Sequence, residues 1–119
     1  MNNIDFQRLV RMEEHCADIR QAVERLSADY NAFMADKDVR TAIVMYIAQI
    51  GELSAGLSEA FRNNEGAAMP WGIIKSMRNL IVHAYHKIDL DTIWETATED
   101  IPKVSKFCKG ILEENPQET

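Results

Sequence analysis

The chain of 119 residues holds only three prolines and five glycines, and its β-branched residues are not gathered into alternating runs. Turn-rich β architectures are disfavoured on both counts, and helices are expected. Cysteine is scarce too. Cys16 and Cys108 stand far apart, in no metal-ligand spacing, and read most simply as free thiols filling a core in a reducing cytoplasm. No apolar run is long. The longest uncharged stretch, TAIVMYIAQIG, falls well short of the roughly 20 residues that cross a bilayer, so no membrane partner is expected. The opening MNNIDFQRLVRMEEH is charged and lacks the apolar segment of a signal peptide. Positive charge is in deficit, 13 Lys and Arg against 19 Asp and Glu for a net −6. That argues against a general nucleic-acid coat protein but leaves room for a small local cationic site, or for acidic faces that meet a basic partner. A Gly-rich phosphate loop, a G-x-S-x-G elbow and a CxxC pair are all missing, and no cofactor is indicated.

What is present is the balance of a soluble globular domain, 46% apolar and 27% charged. It is long enough to bury one core without disulfides or metals. A single domain over 1–113 with a flexible tail at 114–119 is expected. Leu9, Met12, Cys16, Ile19, Val23, Leu26, Tyr30 and Phe33 step by threes and fours, one apolar stripe along a long first helix. ADKD interrupts it, with Asp38 placed to cap a second helix carrying Ala42, Ile43, Tyr46, Ile47, Ile50, Leu53, Leu57 and Phe61. In that helix Gly51, Ala55 and Gly56 would let a neighbour approach closely. RNNEGAAMP reads as a loop, and Pro70 suits the first turn of a third helix. Asp91 can cap a fourth, with Ile93, Ala97, Ile101, Val104, Cys108 and Ile111 inward. Pro102 should kink or restart that helix, since it removes a backbone donor. The fold class is all-α, an antiparallel up-and-down bundle of four to five helices.

Within the third helix, MRNLIVHAYHKID sets Arg78 and His83 five apart, about 140° around a helix. With Arg78 at zero, Ile73, Ile74, Met77, Leu80, Ile81 and Ala84 fall at roughly 200–320°, the core side. Lys75, Ser76, Asn79, His83 and His86 fall at roughly 60–160°, and Tyr85 lies about 20° from Arg78. With Lys87, this is the most cationic patch of an acidic chain. A solvated helix face would look the same. His83 and His86 also form H-x-x-H, but no third ligand stands at supporting spacing, and no metal site is expected. His15, beside Glu13 and Glu14, reads as solvated. Glu52 is open between a surface carboxylate and a half-buried partner of a cation on the third helix, Arg78 among them. Trp71 and Trp94 read as packing anchors.

RNLIVHAYH resembles the R-x4-H-x-Y motif of the HEPN superfamily, with Arg78, His83 and Tyr85 in its places. DKDVRTAI, IGEL, PWGIIKSMRN before the motif, and KID followed by Trp94 after it are similar to the HepT-like branch, so the likeness runs from about residue 36 to about 95. Leu80 and His86 depart from that pattern at positions that bear on substrate preference. The resemblance implies a HEPN-like bundle and a metal-independent endoribonuclease, the toxin of a two-gene toxin–antitoxin system. Its partner would be a minimal nucleotidyltransferase antitoxin that silences it by adenylylating the motif tyrosine, Tyr85.

The residue types suit that chemistry. In metal-free RNA cleavage the 2′-hydroxyl attacks the adjacent phosphorus, which needs a base, a cation for the phosphoryl oxygens and an acid for the leaving 5′-oxygen. Histidine titrates near neutrality and serves as base or acid. Arginine offers a planar fork for phosphate oxygens. One histidine cannot fill both proton-transfer roles at once, so a two-fold homodimer sharing a cleft is expected, with Arg78 and His83 catalytic and Asn79, Lys75 and His86 supporting RNA. The competing reading is a non-catalytic helical module that presents Tyr85 and an acidic body to a nucleotidyltransferase and helps it hold nucleotide.

Overall fold

The computed structural model describes residues 1–67 and 69–116, with only the backbone at position 73. Among them there is no strand. The elements are α1 (Asn3–Arg25), α2 (Tyr30–Ala35), α3 (Lys37–Ala55), α4 (Glu59–Asn63), α5 (Trp71–His83), α6 (Leu90–Glu95) and α7 (Ile101–Glu114), with a 3₁₀ turn at Tyr85–Lys87 and a π turn at Thr96–Asp100. No helix is long and apolar enough to cross a membrane, among the described residues.

The four long helices form the expected all-α bundle. α3 packs on α1 and α5, and α1 also packs on α7. Cross-links fix their directions. Asp5 at the start of α1 meets Ser58 just past the end of α3, so those two run antiparallel. Glu13 of α1 accepts from Ser105 of α7 at 2.8 Å and faces Lys109 at 3.6 Å. At the same end of the bundle, Trp71 opens α5 with its ring edge-on to Phe107 and its indole N–H on Gly66 O at 2.7 Å. The core is the stripe of each helix turned inward: Leu9, Met12, Cys16 and Ile19; Ile43, Val44, Ile47 and Ile50; Met77 and Ile81; Ile93, Ile101, Val104 and Cys108. Both thiols are buried and free. Burial pushes the Cys108 thiol up to about 12, and that of Cys16, next to Cys108 and Glu13, upward too, so they act as small apolar side chains.

Several boundaries depart from the sequence reading. The first stripe is not one helix. Ser27 and Ala28 take left-handed φ of 54° and 52°, Ala28 N–H reaches back to Val23 O, and Asp29 caps the separate α2 by accepting from Ala32 N–H. Two non-glycine residues in that region cost roughly 1–2 kcal/mol each. The turn brings Phe33 into the core, its ring 4.9 Å from that of Trp94. Asp36, not Asp38, caps α3, and Asp89, not Asp91, caps α6. In each case the aspartate two residues nearer the preceding loop reaches a free N–H, and the other sits inside the first turn. α3 ends at Ala55, so Phe61 belongs to α4, which Ser58 caps. Pro70 stands at the cap position before Trp71, just outside α5. The interruption expected at Pro102 is present. An α-helical Pro102 would press its ring on the Thr98 carbonyl; the wider π turn precedes it, and α7 starts with the proline in its first turn. α7 runs through Glu114, and Asn115 donates to Ile111 O at 2.9 Å. The rest of the expected tail, from 117, lies outside the described residues.

Asp5 is the polar group most committed to this packing. It is buried and accepts from Ser58 N–H at 2.8 Å and from the Ser58 hydroxyl at 2.6 Å. Asp5→Ala strands two donors at the α1–α4 junction. It should lower the unfolding free energy by about 1–3 kcal/mol in urea titrations followed by circular dichroism; an unchanged midpoint would contradict this role.

Candidate functional site

The cationic patch is built where α3 and α5 come closest. A Cβ added to Gly51 would stand 2.4 Å from Arg78 Cβ and 2.9 Å from its Cγ. Only glycine permits this approach, and the aliphatic stem of Arg78 lies directly on bare α3 backbone. The next residue of α3 then holds the head of the same side chain. Arg78 Nε donates to Glu52 Oε2 at 3.0 Å, and Nη2 donates to Oε1 and Oε2 at 2.7 Å each. Nη1 donates to Asn79 Oδ1 at 2.7 Å. The Arg78 side chain is 27% exposed and that of Glu52 52%, so the pair sits at the surface with the arginine the more enclosed member. Hydrogen bonds from Arg78 hold the Glu52 carboxyl below its ordinary range against the opposing effect of desolvation. Of the two readings left open for Glu52, the ion pair with Arg78 is the one present, on an exposed carboxylate.

His83 is the last residue of α5 and is exposed, as are Lys75 and Ser76 on the same helix; Asn79 is half-buried. Met77 and Ile81 are buried and Ile74 and Leu80 partly so, as the helical wheel requires. The wheel fails beyond His83. Ala84 leaves helical geometry at φ −142°, ψ 43°, its N–H closing on Leu80 O, and Lys87 and Ile88 form the 3₁₀ turn through Ala84 O and Tyr85 O. The turn returns Ile88 and Leu90 to the core. That tertiary demand outweighs continuation of the helix. Tyr85 and His86 therefore leave the α5 stripe, so the helical angle that put Tyr85 beside Arg78 does not apply. Both are exposed, Tyr85 at 55%. His83 and His86 also belong to separate elements, and no group of three metal-ligating side chains is brought together among the described residues.

Asn79 turns toward Arg78. Outside the patch, His15 is not solvated as expected: its ring stacks on Tyr46 of α3 at 5.8 Å between centroids, with Nδ1 3.6 Å from Asp18. Trp94 does anchor packing, beside Phe33 and Tyr30. A cavity of about 730 Å³ opens between α1 and α7, over Cys16, Val23, Ala97 and Ile101, with Arg20 and Lys106 at its edge; none of the patch residues lines it.

The depressed carboxyl of Glu52 has a definite sign. A group whose pKa falls on folding adds stability above its unfolded value and loses it as pH drops through the lower folded value. The Glu52 carboxyl, followed by carbon NMR, should titrate below the other exposed glutamates and move up in Arg78→Ala. Coincidence with them in the wild type would show that the pair does not form.

Comparison with known proteins gives this geometry a family. The family model described as Ribonuclease HepT-like matches residues 12–111, which take in Gly51, Glu52, Arg78 and His83. A Methanocaldococcus jannaschii protein provisionally named as an RNase is 35% identical over 78 residues, 66% of this chain and 71% of its own. A Thermococcus cleftensis protein provisionally named as ribonuclease HepT is 29% identical over 103 residues, 82% of this chain and 93% of its own. A third, from Caldanaerobacter subterraneus and also provisionally named as an RNase, is 30% identical over 100 residues, covering 84% and 87%. No solved structure matches. With the family model spanning α1 to α7 around the Arg78 patch, the chain belongs to the HepT-like ribonuclease family.

Proposed function

We propose that the chain is a metal-independent endoribonuclease acting as a homodimer, the toxin of a toxin–antitoxin pair whose other member is a minimal nucleotidyltransferase. One observation carries the reading: α5 holds a fixed arginine and an accessible histidine, and α3 and α5 each expose an apolar side chain. Met45 is 51% exposed and Val82 53%. Met45, Gln49 and Glu52 share one exposed face of α3. Because α3 and α5 run antiparallel, moving back from Gly51 to Met45 and forward from Arg78 to Val82 leads in the same direction. Exposed apolar side chains on the helices that carry catalytic residue types suit an isologous contact, in which a second copy covers them and brings its own Arg78 and His83 to one cleft.

In that cleft one His83 takes the 2′-hydroxyl proton as the 2′-oxygen attacks phosphorus. The P–O5′ bond breaks, and the partner subunit's His83, protonated, supplies a proton to the departing 5′-oxygen. The products are a 2′,3′-cyclic phosphate and a 5′-hydroxyl. Arg78 steadies the charge on the phosphoryl oxygens. Asn79 steadies Arg78, while Lys75 and His86, both exposed, offer contacts to flanking phosphates. Tyr85 presents its hydroxyl to solvent beyond the end of α5, where adenylylation by the antitoxin would add an anion and bulk at the mouth of the cleft. The non-catalytic reading draws support from two observations, the net charge of −6 and the occupation of Arg78 by Glu52.

RNA incubated with the purified chain in excess chelator separates the two. Cleavage should occur in the wild type and fall by at least about 10²-fold in both Arg78→Ala and His83→Ala, with dimer and helicity retained. Co-expression with the nucleotidyltransferase should add adenylyl mass to the wild type and none to Tyr85→Phe. Intact RNA with the wild-type chain would favour the binding module.

A further inference from the structure

We propose that Glu52 is a positioning residue for RNA cleavage: with Gly51 it forms a cradle on α3 that fixes the Arg78 guanidinium in the orientation the scissile phosphate requires. The inference rests on the nuclease reading and assigns a role that the motif itself does not contain.

Consecutive residues of one helix hold the two ends of one side chain. Gly51 supplies the floor on which Arg78 Cβ and Cγ rest, and Glu52 grips Nε and Nη2. An arginine has several rotatable bonds and loses much side-chain freedom when immobilised. Here that freedom is lost before any substrate arrives. The guanidinium has five N–H donors in a fixed plane. Its Nε/Nη2 edge is closed by the carboxylate and one Nη1 hydrogen by Asn79, which leaves one hydrogen on Nη2 and one on Nη1 for the phosphate. The cradle therefore selects which part of Arg78 meets the phosphate.

Stability does not explain the arrangement. An ion pair this exposed adds little to stability, and glycine in the middle of a helix is itself unfavourable relative to alanine. Tight binding of RNA does not explain it either. Glu52 places a negative charge against the cation that is to meet a phosphate, which weakens attraction. What the arrangement improves is orientation, and a misplacement of the order of 1 Å at a reacting centre costs about 10²-fold in rate.

The consequence is a split in kinetics that a binding residue would not give. Glu52→Gln keeps the shape and one acceptor oxygen but removes the charge. In the chelator-treated RNA assay its kcat should fall about 10-fold while KM stays unchanged or decreases, and Glu52→Ala should lose about 100-fold with the same direction in KM. The thermal midpoint of Glu52→Gln should stay close to that of the wild type. Three results would overturn the proposal in an active wild type: a kcat for Glu52→Gln equal to or above wild type, which would make the carboxylate a mere occupant of the phosphate seat; a raised KM at constant kcat; or a loss of kcat matched by a loss of stability. A wild-type chain that leaves RNA intact removes the nuclease reading and this role together, and is recognised because the variants then have no activity to compare.

Discussion

The close approach of α3 and α5 at Gly51 is the constraint on which the site depends. Without a Cβ there, two helix backbones settle near enough for Arg78 to lie along α3, and the next α3 residue can then reach its guanidinium. The part of Arg78 in the proposed chemistry follows from that one contact. The arginine is held at its stem by packing and at its head by hydrogen bonds, while the histidine five residues on remains free in solvent at the helix end. The two residue types are thus treated oppositely. A cation that must meet a phosphate in one orientation is fixed, and a group that must exchange protons with substrate is left accessible.

The bundle serves this contact at some distance. Asp5 and Ser58 tie the start of α1 to the end of α3, and Trp71 locks the start of α5 against Phe107 of α7. Those two joints set the helix pair at one end. At the other, Tyr30 of α2 donates to Asp91 of α6, which pushes the phenol pKa up, and Phe33 and Trp94 pack beneath them. Of the irregular segments only the 3₁₀ turn at Tyr85–Lys87 adjoins the patch. These segments let apolar residues on short helices reach the core while α3 and α5 stay continuous past Gly51, Glu52 and Arg78.

Much of this was legible in the residues. Apolar steps of three and four identify the core faces of all four long helices, Pro102 announces the break before α7, and Gly51 reads as a point of close approach. Glu52 could be paired with Arg78 as one of two options because a carboxylate within an apolar helix needs a partner. The misreadings share a cause. Periodicity carries no information on where tertiary packing overrides helix continuation, so the left-handed turn at Ser27 and Ala28 and the end of α5 at His83 were invisible to it. The second case matters for function, because a continuous wheel puts His86 on the stripe of His83 and Tyr85 beside Arg78, and the turn that packs Ile88 against the core takes both away from those places. His15 is a similar case: the charges beside it in sequence say nothing of Tyr46, which covers it from another helix.

Energetically the Arg78–Glu52 pair is minor, and its weight in the account comes from geometry. Nitrogen-15 spectra of the Arg78 Nε–H test this most directly, because that proton lies in the carboxylate contact itself. The account predicts a distinct Arg78 Nε–H signal near neutral pH, slow to exchange with water, that disappears into the exchanging background of the other arginines in Glu52→Gln. An Arg78 Nε–H that exchanges in the wild type as fast as those of solvent-exposed arginines would contradict it.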